Sequence, residues 1–445
     1  MEQPLLNIGI QSNREIIFLL KGEFKSSKGN NVLGGRFKAS INNNEIEITG
    51  SGLSYKFEKE IIFVPSNPAE FSFVLQSVTI GKNFHWEKNE NQKFTGSLKL
   101  IIDKDKLTAI NIVMLEDYLV SVISSEMNPT SSIELLKAHA IISRSWILAQ
   151  LKRKESAIKK IETPFIKTKE EIIKWYDRED HDKFDFCSDD HCQRYQGITK
   201  VITDNSLIAV EETKGIALLA GKEICDARYS KCCGGITETF ENVWENVEHK
   251  YLKNISDYKF DPEGFNPDLR EHTRAANWIN ESPSAFCNSN DKKILSQVLL
   301  DYDQKTTDFF RWKVVFSQKE LKALLKTNLK IDFGEIIDLI PLERGYSGRI
   351  IKLKIIGSLK TLIIGKELLI RKSLSKTHLY SSAFIVNKEK ILDGIPQKFI
   401  LTGAGWGHGV GLCQIGAAVM GEMGYSFDAI LIHYFNNAEI KRIYK

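Results

Sequence analysis

Apolar and polar positions alternate in short runs from residue 5 to residue 102, as in IIFLLKGEF, IEITG, YKFEKEIIFVP and FSFVLQSVTI, with Gly, Asn and Ser between the runs. A period of two predicts half-buried strands, and the turn residues between them predict an antiparallel β domain. At Leu115 the period lengthens. The stretch LEDYLVSVISSEMNPTSSIELLKAHAIISRSWIL sets Leu119, Val122 and Ile123 at helical spacing, and Glu126, seven positions after Leu119, continues their stripe. Asn128 and Pro129 stop this helix and leave Glu126 at its C-terminal end, where the helix dipole and desolvation both disfavour a negative charge. A second helix is predicted from an N-cap at Ser131 or Ser132, with Glu134 in its first turn and Leu136, Ala140 and Ile147 facing inward. Arg144 falls on that apolar side. Its guanidinium is drawn where only hydrogen-bonded pairing makes burial tolerable, and Glu126 is one candidate partner.

Further along, Gln150 to Lys174 mixes lysine and glutamate in the manner of a solvated helix face. His85 and Trp86, in NFHWEK, read as strand core rather than as a sugar-stacking pair. Ser206 to Val243 reads as strands, with a Gly234-Gly235 turn between two alternating runs. Tyr229 and Lys231 share a parity there and project to one sheet face, where a phenol beside an ammonium suits hydrogen bonding to a sugar. The bland alternative is an exposed strand face. In FFRWKVVFSQKELKALL and GRIIKLKIIGSLKTLIIGKELLIRKSL the pattern suggests strands with a short helix. The run GAGWGHGVGLCQIGAAVM surrounds Trp406 and His408 with glycines and then shows helical spacing at Leu412, Ile415 and Val419. Such a loop lets backbone approach a ligand, with His408 and Gln414 as polar donors; a tight turn packed on the core is the alternative. It lacks the βαβ setting and the lysine of a phosphate cradle. The expected fold is a mixed, β-rich α+β structure with a helical hairpin and C-terminal helices. Its expected parts are an N-terminal β domain (1–105), a core (106–250 with 394–445) and an inserted β-rich module (251–393).

Composition narrows the chemistry. With 445 residues, 42% hydrophobic and 27% charged, the chain is long enough for two or three domains. Lys plus Arg at 61 against Asp plus Glu at 57 leaves +4, too small an excess to argue for a nucleic-acid partner. No apolar run is long enough to span a bilayer, and the N-terminus lacks the basic region, apolar core and cleavage site of an export signal. Seven cysteines, with Cys232 and Cys233 adjacent, do not resemble a disulfide framework; a metal or free thiols fit better. His181, Cys187, His191 and Cys192 gather in one polar stretch, and two thiols with two imidazoles match tetrahedral, structural zinc, although the adjacent His191 and Cys192 need a bent backbone to share an ion. A metal-free loop is the alternative.

The runs LEDYL, SEM and LLKAHAIISRSW, then HCQRYQG, ARYSKCCGGITETFENVW, SGR and GAGWGHGVGLCQIGAAVM, in that order, resemble the stage II sporulation protein D and amidase-enhancer (SpoIID/LytB) family. The resemblance implies a lytic transglycosylase that cleaves peptidoglycan between N-acetylmuramic acid and N-acetylglucosamine, with Glu126 as general acid and base and with Arg144, Tyr229 and Lys231 in the catalytic set. It implies substrate binding by Trp406, His408 and Gln414, no cofactor for catalysis, glycan strands as partner, and a place in the cell envelope or periplasm. The family's other branch implies a non-catalytic wall-binding protein that enhances a cell-wall amidase. A hydrolase would need a second carboxylate, for which Asp189, Asp190 and Glu238 are the candidates. Where the family usually has small polar residues, this chain has Cys232 and Cys233.

Overall fold

The computed structural model describes residues 2–29, 31–50, 52–81, 87–128, 130–155, 165–175, 181–259, 266–298 and 307–445. His85, Trp86 and Pro129 lie outside the described residues. The fold is mixed α+β, with 39% strand and 25% helix, as the patterning predicted. The chain divides into two compact units, residues 1–147 with 180–217 and 441–445, and residues 148–179 with 218–440.

The first unit is built on an eleven-stranded sheet. Its main path runs from Phe186–Cys187 through Leu5–Asn13, Lys106–Met114, Ser97–Asp103, Glu60–Pro65, Glu15–Ser26, Val32–Asn42 and Glu45–Gly50 to Leu53–Glu58. Neighbours on this path are antiparallel except Phe186–Cys187, which runs parallel to Leu5–Asn13. Alternation buries Ile16, Phe18 and Leu20 from one strand, and Phe18 stacks against Phe37 at 5.7 Å and meets Phe63 at a tilt at 5.6 Å. Each such ring contributes roughly 1.5–3 kcal/mol by leaving water.

Strand Lys106–Met114 runs straight into helix α1 (Leu115–Glu126). Leu119, Val122 and Ile123 are fully buried, as their spacing predicted. At Met127 the backbone turns extended (φ −115°, ψ 156°), so Glu126 is the last helical residue. Helix α2 (Ile133–Glu155) starts where expected, with the Ser132 hydroxyl accepting from the Leu135 amide at 3.4 Å. From Ala138 to Leu148 every residue is buried, so this is a core helix rather than an amphipathic one. Its serines bond within the helix: the Ser145 hydroxyl donates to the Ile141 carbonyl at 2.6 Å, and Ser143 pairs with His139 at 3.3 Å.

In the second unit, a five-stranded sheet orders Phe165–Lys167, Glu171–Lys174, Thr361–Gly365, Ile350–Gly357 and Ile336–Arg344. A three-stranded sheet places Ile395–Ala404 between Arg311–Ser317 and Phe384–Leu392. The short helix read in SQKELKALL is Gln318–Leu329, opened by a reciprocal cap between Ser317 and Glu320. Trp312, Leu321, Leu353 and Phe399 belong to its shared core.

Two expectations are corrected. The solvated helix read over Gln150 to Lys174 does not run through: α2 is described as far as Glu155, and Phe165–Lys167 and Glu171–Lys174 are strands, because β-branched Ile166, Ile172 and Ile173 fit a ladder. The strands read from Ser206 begin instead as a helix, Asn205–Glu212, in which Ser206, Ala209 and Val210 are buried at a helical interval.

Candidate functional site

Glu126 stands half-buried at the end of α1, after the buried run Ser121 to Ser125. One carboxylate oxygen, Oε1, accepts a hydrogen bond from the Arg194 backbone amide at 3.0 Å. The Arg194 side chain turns to Asp190, donating through Nε at 2.9 Å. The segment that delivers this amide is itself pinned on both sides. Tyr195 is buried, stacks on Tyr118 at 4.8 Å and donates to Asn111 Oδ1 at 2.6 Å, while its amide donates to the Ser188 carbonyl at 3.1 Å.

The other end of that segment is the cysteine–histidine stretch. Cys192 Sγ lies 3.5 Å from both His181 Nε2 and His191 Nδ1, Cys187 Sγ lies 3.9 Å from His191 Nδ1, and the four ligand atoms all lie within 4.8 Å of one another. Zinc bonds of about 2.0–2.3 Å in a tetrahedron give ligand edges of roughly 3.3–3.8 Å, so the donor set fits such an ion. The bend that lets His191 and Cys192 point together is a turn closed by the Cys192 amide on the Asp189 carbonyl at 3.0 Å. A hydrogen bond from Cys192, joined by His181 and His191, outweighs burial and holds the Cys187 thiol far down, to about 2.

Arg144 is fully buried, as predicted, but its partner is Glu116 and not Glu126. Nε donates to Glu116 Oε1 at 3.0 Å, Nη2 to Oε2 at 2.6 Å, and Nη1 to the Ile216 carbonyl at 3.0 Å. This forked pair is completed by Tyr444, whose hydroxyl donates to Glu116 Oε1 at 2.6 Å, and by the Gly215 amide at 3.3 Å. Burial first, then the Glu116 carboxylate, pushes the Tyr444 phenol above its ordinary range, so it stays a donor. Glu116 shares the stripe of Leu119 and Ile123, at intervals of three and seven, and that signal could have found it. Tyr444 has no local signal.

In the second unit, Tyr229 and Lys231 are half-buried and alternate with buried Ser230 and Cys232, so their common parity holds. Their strand is short. Tyr229–Ser230 pairs in parallel with Leu412–Cys413, and Cys232 exchanges both backbone bonds with Trp406, at 3.0 and 2.8 Å. Lys231 Nζ donates to the Val298 carbonyl at 2.6 Å. Trp406 stacks face to face on Phe309 at 4.6 Å and meets Tyr380 edge-on at 5.1 Å. Gln414 is buried as the first residue of helix Gln414–Glu422.

Arg349, fully buried, props the glycine loop from beneath. Its Nε and Nη2 donate to the Gly407 carbonyl at 3.2 and 3.1 Å, and Nη1 donates to the Cys233 carbonyl at 3.1 Å. At Gly409 (φ +78°) an added Cβ would lie 2.5 Å from that guanidinium, which is why a glycine stands there. Burial first, then the guanidiniums of Arg228, Arg349 and Arg371, holds His408 well below the usual histidine range. Its ring is neutral, and Nδ1 accepts from the Val410 amide at 3.0 Å. Glu238 is fully buried with its carboxylate cradled by the Tyr346 and Ser347 amides, the Ser347 hydroxyl and Asn242. Those donors make it a brace for the SGR turn. Asp190 is held by Arg194, and Asp189 Oδ1 accepts from the Asp190 amide at 3.0 Å.

No helix among the described residues is long and apolar enough to cross a membrane. Residues 103–219 match the family described as Stage II sporulation protein, the segment that holds Glu126 and Arg144, in agreement with the resemblance carried by LEDYL and SEM. A domain of that family suggests a cell-wall-related function. Residues 238–411 match a family described as Domain of unknown function (DUF8618). An uncharacterized protein of Brachyspira hyodysenteriae is 26% identical over 349 residues, covering 78% of this chain and 72% of the relative.

Proposed function

We propose that this chain, through its stage II sporulation region, is a lytic transglycosylase of bacterial cell-wall glycan with Glu126 as its single acid and base. The observation that carries the reading is the carboxylate of Glu126 at a helix end, with one oxygen fixed by the Arg194 amide. The protonated carboxyl gives its proton to the glycosidic oxygen as the bond from the muramoyl anomeric carbon breaks. The resulting carboxylate takes the proton of the muramoyl 6-hydroxyl while that oxygen attacks the same carbon, so the enzyme returns to its starting state without consuming water. Neither Glu238 nor Asp190 is needed. Both have structural partners.

Tyr229 and Lys231, with Trp406, His408 and Gln414, are assigned to glycan binding in the second unit, where a neutral imidazole can donate to or accept from a sugar hydroxyl. His181, Cys187, His191 and Cys192 are assigned to a structural zinc ion, since four protein ligands leave no open coordination position. Its task is to set the residues that follow, including the Arg194 amide. The site of action would be the cell envelope.

Digestion of purified glycan strands in oxygen-labelled water, followed by mass analysis, tests the reading. Products ending in 1,6-anhydromuramic acid without label are expected. A labelled reducing end means hydrolysis, and binding without cleavage means a wall-binding protein of the amidase-enhancing kind.

A further inference from the structure

Four further ligand-type side chains, from segments far apart in the second unit, meet where no water reaches. Cys233, Cys287, Cys413 and Asp257 are 2, 1, 0 and 0% exposed, and one ligand atom from each lies within 4.8 Å of the others. We propose that these four residues hold a second metal ion, a structural zinc, in the unit that carries Tyr229 and Lys231.

The separations are those of ligands around one ion. Cys233 Sγ lies 3.6 Å from Cys287 Sγ and 3.4 Å from Asp257 Oδ2. Zinc–sulfur bonds of about 2.3 Å and zinc–oxygen bonds of about 2.0–2.2 Å give tetrahedral edges of roughly 3.5–3.8 Å. A disulfide would need the sulfurs at about 2.05 Å, and an iron–sulfur cluster would hold its thiolates farther apart than a single ion does. Thiolate-rich tetrahedral sites select zinc over harder cations.

The surroundings are those of a ligand shell. Backbone amides point at the sulfurs, from Cys233 to Cys413 Sγ at 3.2 Å and from Gly235 to Cys233 Sγ at 3.4 Å, which is how proteins stabilise thiolate charge. Cys413 is also the N-cap of helix Gln414–Glu422, where a negative sulfur is favoured. Asp257 is aimed by two donors, the Tyr434 hydroxyl on Oδ1 at 2.5 Å and the Cys287 amide on Oδ2 at 3.0 Å. Such outer hydrogen bonds orient metal ligands. Helix Gln414–Glu422 passes this pair at Gly416, whose added Cβ would lie 2.5 Å from Asp257 Oδ1. Among the described residues no side-chain cation hydrogen-bonds to the four ligand atoms. Arg311 spends its donors on the carbonyls of Glu281, Gly234, Phe310 and Trp278. Buried groups of this kind are paired or bound to a metal.

The ion would tie the chain just after Lys231 to the helix that follows the glycine loop, fixing the strand pair on which Tyr229 lies. Zinc analysis of the full chain tests this independently of any activity. About two equivalents are expected, one per ligand set, and Cys287→Ser should lose about one while Cys187→Ser loses the other. Should either variant misfold, cobalt(II) reconstitution of the unaltered protein decides, because the second set adds three thiolate bonds to the two from Cys187 and Cys192. Zinc content unmoved by Cys287→Ser, or a cobalt spectrum with only two thiolate bonds, overturns the proposal. So does metal-free protein lighter by two hydrogens at Cys233 and Cys287.

Discussion

The backbone amide of Arg194 holds the carboxylate of Glu126 across 68 residues of chain, at 3.0 Å. Because the donor is main chain, substitutions of the Arg194 side chain other than proline leave it in place. The orientation of Glu126 is therefore set by the path of residues 188–195.

Glu126→Gln should leave this hydrogen bond in place, since the amide oxygen still accepts, while removing the transferable proton. Turnover on glycan strands should fall by about a hundredfold or more, with the melting temperature and glycan binding retained. Cleavage at the unaltered rate would remove Glu126 from the mechanism.

Stripping the zinc proposed for His181, Cys187, His191 and Cys192 should loosen the segment that ends at Arg194. A lower melting temperature and an activity reduced by about tenfold are expected, both restored by adding zinc back. Calorimetry and a glycan assay on the same chelated sample check this. A melting temperature that ignores the chelator counts against a structural ion.

Arg144 has every described contact inside the fold, to Glu116 and Ile216. Arg144→Gln strands the Glu116 carboxylate in a buried place, so stability should fall by about 3–5 kcal/mol. Denaturant unfolding measures that loss. Activity per folded molecule should persist, and a selective loss of activity at unchanged stability would return Arg144 to the chemistry.

His378 gives a pH signature. Burial first, then Arg371 and Lys372, pulls its imidazole down to about 4 from 6.5. The unfolded chain thus binds this proton first, and stability falls as pH drops through 6.5 towards 4, below which the folded state is charged as well. Melting temperatures across that window should fall less steeply in His378→Gln than in the unaltered protein. Parallel curves would show that other groups carry the slope.

Much of this architecture could be read from periodicity. Alternation over residues 5–102 and the helical interval from Leu119 to Ile147 each recur often enough to overrule local exceptions, and strands and helices follow. The segment from Ser206 misled because AVEE offers too few residues to separate periods of two and 3.6. The Arg144 partner was misjudged for a different reason: Glu116 and Glu126 both lie on α1, and only the path of the chain places the first beside the guanidinium. The buried set at Cys233, Asp257, Cys287 and Cys413 draws one residue from each of four distant segments, a pattern invisible without the fold. The four-residue set from His181 to Cys192 lies within a dozen positions and shows in the sequence.

Tyr229 has its ladder partner at Leu412, and Glu116 receives a donor from Tyr444. Chains are synthesised from the N-terminus, and closing such distant contacts is slow. While the ribosome is still short of residue 412, α1 and α2 can form, but the strand of Tyr229 and Lys231 has nothing to pair with. The buried carboxylate of Glu116 waits longer still for its phenol. A growing chain thus completes the strand pair of Tyr229 and Leu412 only late in translation, after the helix bearing Glu126 is already made.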